Sequence, residues 1–205
     1  MLCSAAMKRL LTALGLFLLA APLLQAQRFT VGPFYGYRFG GDLENAATGE
    51  NFRIRDNPSY GIFFDVEPND SGLKLELFYS FQDTSIDLDG ITSPAKNGLD
   101  VHVMQIGAIQ ELYDGKLRPY VGGYLGATYF NLDGFGDELR FSFTLAAGVN
   151  YHFTKNLGLR LDARALSTVV DGSGGFVCAD GGCQVRFAGD FAWQGEVTGS
   201  LFLTF

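Results

Sequence analysis

The chain has 205 residues, 47% of them hydrophobic, 14% aromatic and 18% charged, a balance that excludes a disordered or collagen-like chain. Its 27 glycines and 19 phenylalanines favour strands and tight turns over helices. With 15 basic against 22 acidic residues the net charge is -7, which argues against a nucleic-acid partner, because phosphate contacts need a Lys/Arg surface.

Residues 1–26 read as a targeting segment. Lys8 and Arg9 precede an apolar run from Leu10 to Leu24, broken only by Thr12, Gly15 and Pro22 and followed by Gln25-Ala26. This is the order of a secretory signal peptide. The run is shorter than the roughly 20 residues of a membrane-spanning helix. Met1 and Met7 both stand as start residues, the second placing the charges at the very beginning. Cys3 lies far upstream of the cut, against a lipoprotein anchor. Cleavage after Ala26 removes two bases and no acid, and leaves 179 residues with 13 basic and 22 acidic side chains, a net charge of -9. The expected mature domain is 27–205.

Beyond residue 27, apolar and polar residues alternate with a period of two in eight segments. The first, 28–39, is followed by an acidic connection from Gly40 to Asn57 that carries Asp42, Glu44, Glu50, Arg53, Arg55 and Asp56. The second, 58–67, turns through Pro68-Asn69-Asp70-Ser71 into the third, 72–84, where Leu73, Leu75, Leu77, Tyr79 and Phe81 alternate with Lys74, Glu76, Phe78, Ser80 and Gln82. A connection from Ser85 to Leu99, with Asp87 and Asp89, leads to 100–112, and Tyr113-Asp114-Gly115-Lys116 joins that segment to 118–131. After Leu132 to Glu138, with Asp133 and Asp137, comes 139–153, joined by Thr154-Lys155-Asn156 to 158–169. The glycine-rich stretch from Val170 to Ala192 holds Cys178 and Cys183, the two cysteines that remain after cleavage. In an exported chain a short disulfide between them is expected; half of a metal site is the competing reading, with no Cys or His close by. The last segment, 193–205, sets Trp193, Val197, Leu201, Leu203 and Phe205 against Gln194, Glu196, Thr198, Ser200 and Thr204.

Turns and longer connections alternate strictly. If successive strands run antiparallel, every tight turn falls at one end and every loop at the other, as in an outer-membrane barrel. Hydrocarbon offers the backbone no water, so a spanning sheet must close on itself. The fold expected is all-β, an eight-stranded antiparallel up-and-down transmembrane β-barrel. Side chains fill the interior of a barrel this narrow, and its polar face carries Arg38, Asp65, Glu67, Lys74, Glu76, Glu111, Arg140, Arg160, Asp162, Arg164 and Glu196. Of these, Lys74, Glu76, Arg160, Asp162, Arg164 and Glu196 are expected to form an internal charge network. Inward Gly122, Gly126 and Gly148 make room for Tyr120, Tyr124 and Phe78. Aromatics near strand ends, among them Phe39, Tyr129, Phe141, Tyr151, Phe153, Trp193 and Phe205, fit an interfacial girdle.

The exported chain, the eight alternating strands, the acidic loops and the terminal Leu201-Phe202-Leu203-Thr204-Phe205 resemble the small outer-membrane β-barrel proteins of Gram-negative bacteria, of the OmpX, OmpW and OmpA membrane-domain type. The resemblance covers 27–205. It implies an outer-membrane location with periplasmic termini, and lipid, lipopolysaccharide and the barrel-assembly machinery as partners. It also implies that Leu201, Leu203 and Phe205 are the assembly signal. No cell-wall-binding domain is expected after the barrel, a departure from the full-length OmpA pattern that argues against a cell-wall anchoring role.

No catalytic set, cofactor motif or metal-spaced cluster is legible, so the chain is read as a non-enzyme with no cofactor and no metal. His102, beside Asp100, has no serine motif near it, and His152 is followed by Phe153-Thr154 at the turn end, away from the outer surface where a lipid A deacylase would need a His-x-Ser pair. Clustered loop carboxylates suit hydration, or divalent cations that bridge lipopolysaccharide phosphates. The leading reading is a monomer with a side-chain-filled lumen and acidic outer loops in a structural, adhesive or envelope-integrity role. A narrow pore for small or hydrophobic compounds is the alternative. A soluble lipocalin-like carrier, with the apolar face turned inward, is a third.

Overall fold

A computed structural model describes residues 28–44, 51–69, 71–88, 98–132, 136–169, 175–179, 182–186 and 191–205. The expected targeting segment, and the loop residues Glu50, Asp89 and Asp133, lie outside the described residues. Eight long strands among the described residues form the wall: β1 (Arg28–Gly40), β4 (Asn57–Glu67), β5 (Leu73–Leu88), β6 (Gly98–Glu111), β7 (Leu117–Leu132), β8 (Gly136–His152), β9 (Leu157–Val169) and β12 (Phe191–Thr204). Each pairs antiparallel with its neighbour, and β12 pairs back with β1, Thr30 opposite Thr204 and Arg38 opposite Glu196. The sheet is closed and no edge of it meets lipid.

Four further strands lie in stretches the sequence presents as loops. They are β2 (Asp42–Glu44) and β3 (Asn51–Ile54) in the first connection, and β10 (Gly175–Ala179) and β11 (Gly182–Arg186) in the last. β3 also pairs with the loop-end extension of β5, Arg53 opposite Asp87. Their acidic and glycine-rich surroundings resemble turn chemistry, and three to five residues are too few to display a period of two.

The register fixes the pitch. Following paired residues from Phe29 through Val66, Leu75, Ala108, Gly123, Leu145, Ala165 and Gly195 returns to β1 at Phe39, ten residues along the strand. A shift of ten over eight strands corresponds to a tilt of about 40° at ordinary strand spacings.

The faces sort as a membrane requires. Leu75, Leu77, Ile106, Leu125, Leu145 and Leu201 are exposed on the outside, while Ser80, Gln82, Gln105, Ser142, Thr144 and Thr198 are buried inside. An inward apolar face, as in a lipocalin, is therefore not what this chain adopts. The lumen is not wholly polar: Phe34, Phe63, Phe78, Ile109, Tyr120, Tyr124 and Phe202 form one buried cluster.

Space for five of these six inward aromatic rings comes from glycines on the neighbouring strand. Phe34 lies opposite Gly61 and Phe63 opposite Gly32. Tyr124 lies opposite Gly107, Tyr120 opposite Gly148 and Phe202 opposite Gly158. A methyl group on Gly32 would meet the Phe63 ring at 2.6 Å, and one on Gly148 would meet Tyr120 at 2.7 Å.

Candidate functional site

The middle of the lumen is filled by two arginines from β9. Alternation places Arg160 and Arg164 on the same inward face of that strand, both essentially inaccessible to solvent. Arg160 donates from Nη1 to Glu76 Oε2 at 2.6 Å, from Nη2 to Asp65 Oδ2 at 2.7 Å and from Nε to Asn150 Oδ1 at 2.8 Å. Arg164 donates from Nη2 to Glu76 Oε1 at 3.1 Å and from Nε to Asp162 Oδ1 at 3.1 Å. Tyr124 donates its hydroxyl to Glu76 at 2.9 Å, Tyr120 to Asp162 at 2.7 Å and Thr198 to Asp162 at 2.9 Å. Asp65 and Glu76 are direct register partners, so two carboxylates stand side by side on the wall with Arg160 across both.

The guanidinium planes also cover aromatic faces. Arg160 lies 3.8 Å from the Phe63 ring centre and Arg164 lies 3.9 Å from that of Phe78. Arginine suits this position because its planar fork bonds carboxylates at the edge while its face stacks on rings. Phe78 in turn stacks on Phe34 with ring centres 5.1 Å apart.

Five of the six expected network residues are linked in one hydrogen-bonded network, Lys74 joining the central group through Glu111 and Asn150, but the six do not share one height in the lumen. Glu76, Arg160, Asp162 and Arg164 come together. Lys74 lies at the turn end and donates to Glu111 at 2.6 Å, where Arg118 and Asn150 also bond that carboxylate. Glu196 lies towards the loop end and accepts from Arg38 at 2.8 Å and from Ser80 at 3.2 Å. Strand alternation identifies which charges face inward but carries no information about height along the axis, and that requires the register. The stacked Phe63 and the carboxylate Asp65 are members of the central layer missing from the expected set; both sit on the inward phase of β4, which was the available signal.

A family model described as an outer membrane protein beta-barrel domain matches residues 16–191. The chain belongs to this family. Among solved structures it is similar to Neisserial surface protein A, with 16% identity, coverage of 86% of this chain and 97% of that one, and a TM-score of 0.59. It is also similar to the outer membrane protein OprG of Pseudomonas aeruginosa, with 9% identity, coverage of 88% and 96%, and a TM-score of 0.56. The barrel domain of Pseudomonas aeruginosa OprF gives 15% identity, coverage of 87% and 97%, and a TM-score of 0.50. At these identities the likeness is one of fold. No curated protein matches.

As a member of the outer-membrane barrel family, the protein sits in the lipid of the bacterial outer membrane, with its short turns on the periplasmic side. The histidines then have defined settings. His102 is on the outer wall, its Nδ1 at 2.9 Å from the Tyr79 hydroxyl, between the rings of Phe81 and Tyr129. His152 lies at the turn end with its ring edge-on to Phe202. The neighbouring Thr154 accepts the N–H groups of Asn156 and Leu157 at 3.2 and 3.0 Å and thereby closes the β8–β9 turn. Among the described residues no three His, Cys, Asp or Glu side chains are placed to hold a metal. Leu201, Leu203 and Phe205 share the lipid face of the last strand. Cys178 and Cys183 are direct register partners in the β10–β11 hairpin.

Proposed function

We propose that the protein is a non-conducting structural barrel that holds an acidic loop surface outside the cell, in an envelope-integrity or adhesive role, without catalysis of its own. The observation that carries this reading is the central layer in which Arg160 and Arg164 are bonded to Glu76, Asp65 and Asp162 and stacked on Phe63 and Phe78. To let ions through, that layer would have to part several buried charge-assisted bonds at once. Purified barrel in planar lipid bilayers is expected to show no steady single-channel steps. Steady conductance would favour the second reading, a narrow pore. A specific feature speaks for that alternative: Arg38 Nη1, Gln82 Oε1 and Gln105 Oε1 are buried without a protein partner, polar groups that water inside the lumen would satisfy.

The same proposal includes removal of residues 1–26 on export, contact with lipopolysaccharide around the outer wall, and use of Leu201, Leu203 and Phe205 as the signal for the barrel-assembly machinery. It also includes a disulfide between Cys178 and Cys183. Antiparallel partners have Cα atoms about 4.5–5.5 Å apart, inside the span a disulfide bridges. Mass spectrometry of the unreduced mature protein is expected to find neither thiol alkylated, and both alkylated after reduction. Alkylation of both without reductant would remove the bridge from the proposal.

A further inference from the structure

Below the central layer the barrel opens at its turn end into a vestibule of about 570 Å3. The chain as a whole is acidic, yet Arg28, Lys74, Lys116, Arg118 and Lys155 all line this cavity. They come from separate parts of the sequence: the start of β1, the start of β5, the β6–β7 turn with the start of β7, and the β8–β9 turn. Glu67 and Glu111, among the described residues, answer them. Glu67 stands 3.9 Å from Arg28, and Glu111 is shared between Lys74 at 2.6 Å and Arg118 at 3.1 Å. No carboxylate among the described residues pairs with Lys116 or Lys155, which face the cavity from two different turns. On the wall, His152 Nε2 is buried with no hydrogen-bond partner. A cavity lined by excess positive charge suits an anion with several acceptor oxygens.

We propose that this vestibule is a binding site for a phosphate-bearing anion. Lys74 and Arg118 form its floor, Lys116 and Lys155 close over it from the turns, and His152 stands in its wall. The site faces the periplasm and stands at the level of the inner leaflet, so the phosphate comes either from a soluble compound or from a lipid headgroup.

The test uses the complete mature barrel in a maltoside detergent, which carries no phosphate, titrated calorimetrically with inorganic pyrophosphate at low ionic strength. Saturable binding is expected, weakened at least about tenfold by Lys116→Ala/Lys155→Ala and by a rise in salt that brings the screening length to about 10 Å. Lys96→Ala, in the connection between β5 and β6, is expected to leave affinity unchanged. Both lysines of the double variant lie on exposed turns, and heat-modifiable mobility in SDS gels checks that it remains folded. No saturable heat up to about 10 mM pyrophosphate, the range of the weakest specific affinities, overturns the site, as does equal binding by the folded double variant. Repeating the titration in phosphatidylcholine nanodiscs with and without phosphatidylglycerol assigns the source. Competition by phosphatidylglycerol identifies a headgroup, and undiminished binding identifies a soluble phosphate compound.

Discussion

Replacing Arg160 with methionine is expected to destabilise the folded barrel by about 3–5 kcal/mol, the range for removing one partner of a buried ion pair. Methionine keeps much of the apolar contact with Phe63, so what is lost is the cation. Asp65 and Glu76 are direct register partners, and without the guanidinium that bonds Asp65 at 2.7 Å and Glu76 at 2.6 Å two carboxylates face each other in a space closed to bulk water. The effect is read as a lower urea midpoint of the detergent-folded protein and as loss of the compact SDS-resistant form at a lower heating temperature. Adding Asp65→Asn to Arg160→Met removes one of the two charges and is expected to restore part of the loss. An unchanged midpoint in the single variant would mean that the central layer contributes nothing to holding the barrel shut, and the case for a closed lumen would lose its support.

A second large effect concerns a single methyl group. Gly107→Ala is expected to destabilise the barrel by about 1–3 kcal/mol, the range for overpacking, because the new Cβ would collide with the backbone oxygen of Gly123 and with the Tyr124 ring. Tyr124 cannot withdraw freely, since its hydroxyl donates to Glu76 at 2.9 Å. Gly123→Ala, on the partner strand, is the control: nothing lies within 4 Å of a Cβ there, and a change within about 0.5 kcal/mol is expected for such an exposed substitution. Equal unfolding midpoints for the two variants would refute the account of the inward glycines.

Much of this was readable from the chain because lipid and lumen impose opposite demands on alternate residues. Leu73, Leu75 and Leu77 against Lys74, Glu76 and Phe78 mark β5 without any partner strand in view, and the short stretches around Asn69, Gly115 and Lys155 mark the turns. Strand ends were displaced by up to four residues, chiefly where β5 runs on to Leu88 through Asp83 and Asp87, and where β8 begins at Gly136 ahead of Leu139. Beyond the bilayer the apolar face has no lipid to meet, so the alternation that announces a strand fades while the hydrogen-bonded ladder continues. The site was harder. Arg160, Asp162 and Arg164 are neighbours on one strand and could be grouped by eye. Lys74 and Glu196 share their phase but stand at opposite ends of the lumen, and that separation depends on how each strand is staggered against the next. The signal lay in the glycines: an inward ring on one strand and a glycine on its neighbour are register partners, and the five such pairs mark the stagger at four of the eight strand pairings.

Those pairs bear on how closure reaches one answer. A slip of one residue between neighbouring strands is forbidden already, because it turns every charge to lipid and every leucine inward. A slip of two keeps both faces correct and would pass that check. It would not pass the rings: Tyr120 would stand against Ala146 or Asn150 instead of Gly148, Tyr124 against Gln105 or Ile109 instead of Gly107, and Phe202 against Asn156 or Arg160 instead of Gly158. The odd errors are rejected by the solvent and the even ones, at the four pairings that carry such a ring and glycine, by a lock and its notch, so the aromatic side chains that fill the lumen also proofread the stagger of the wall.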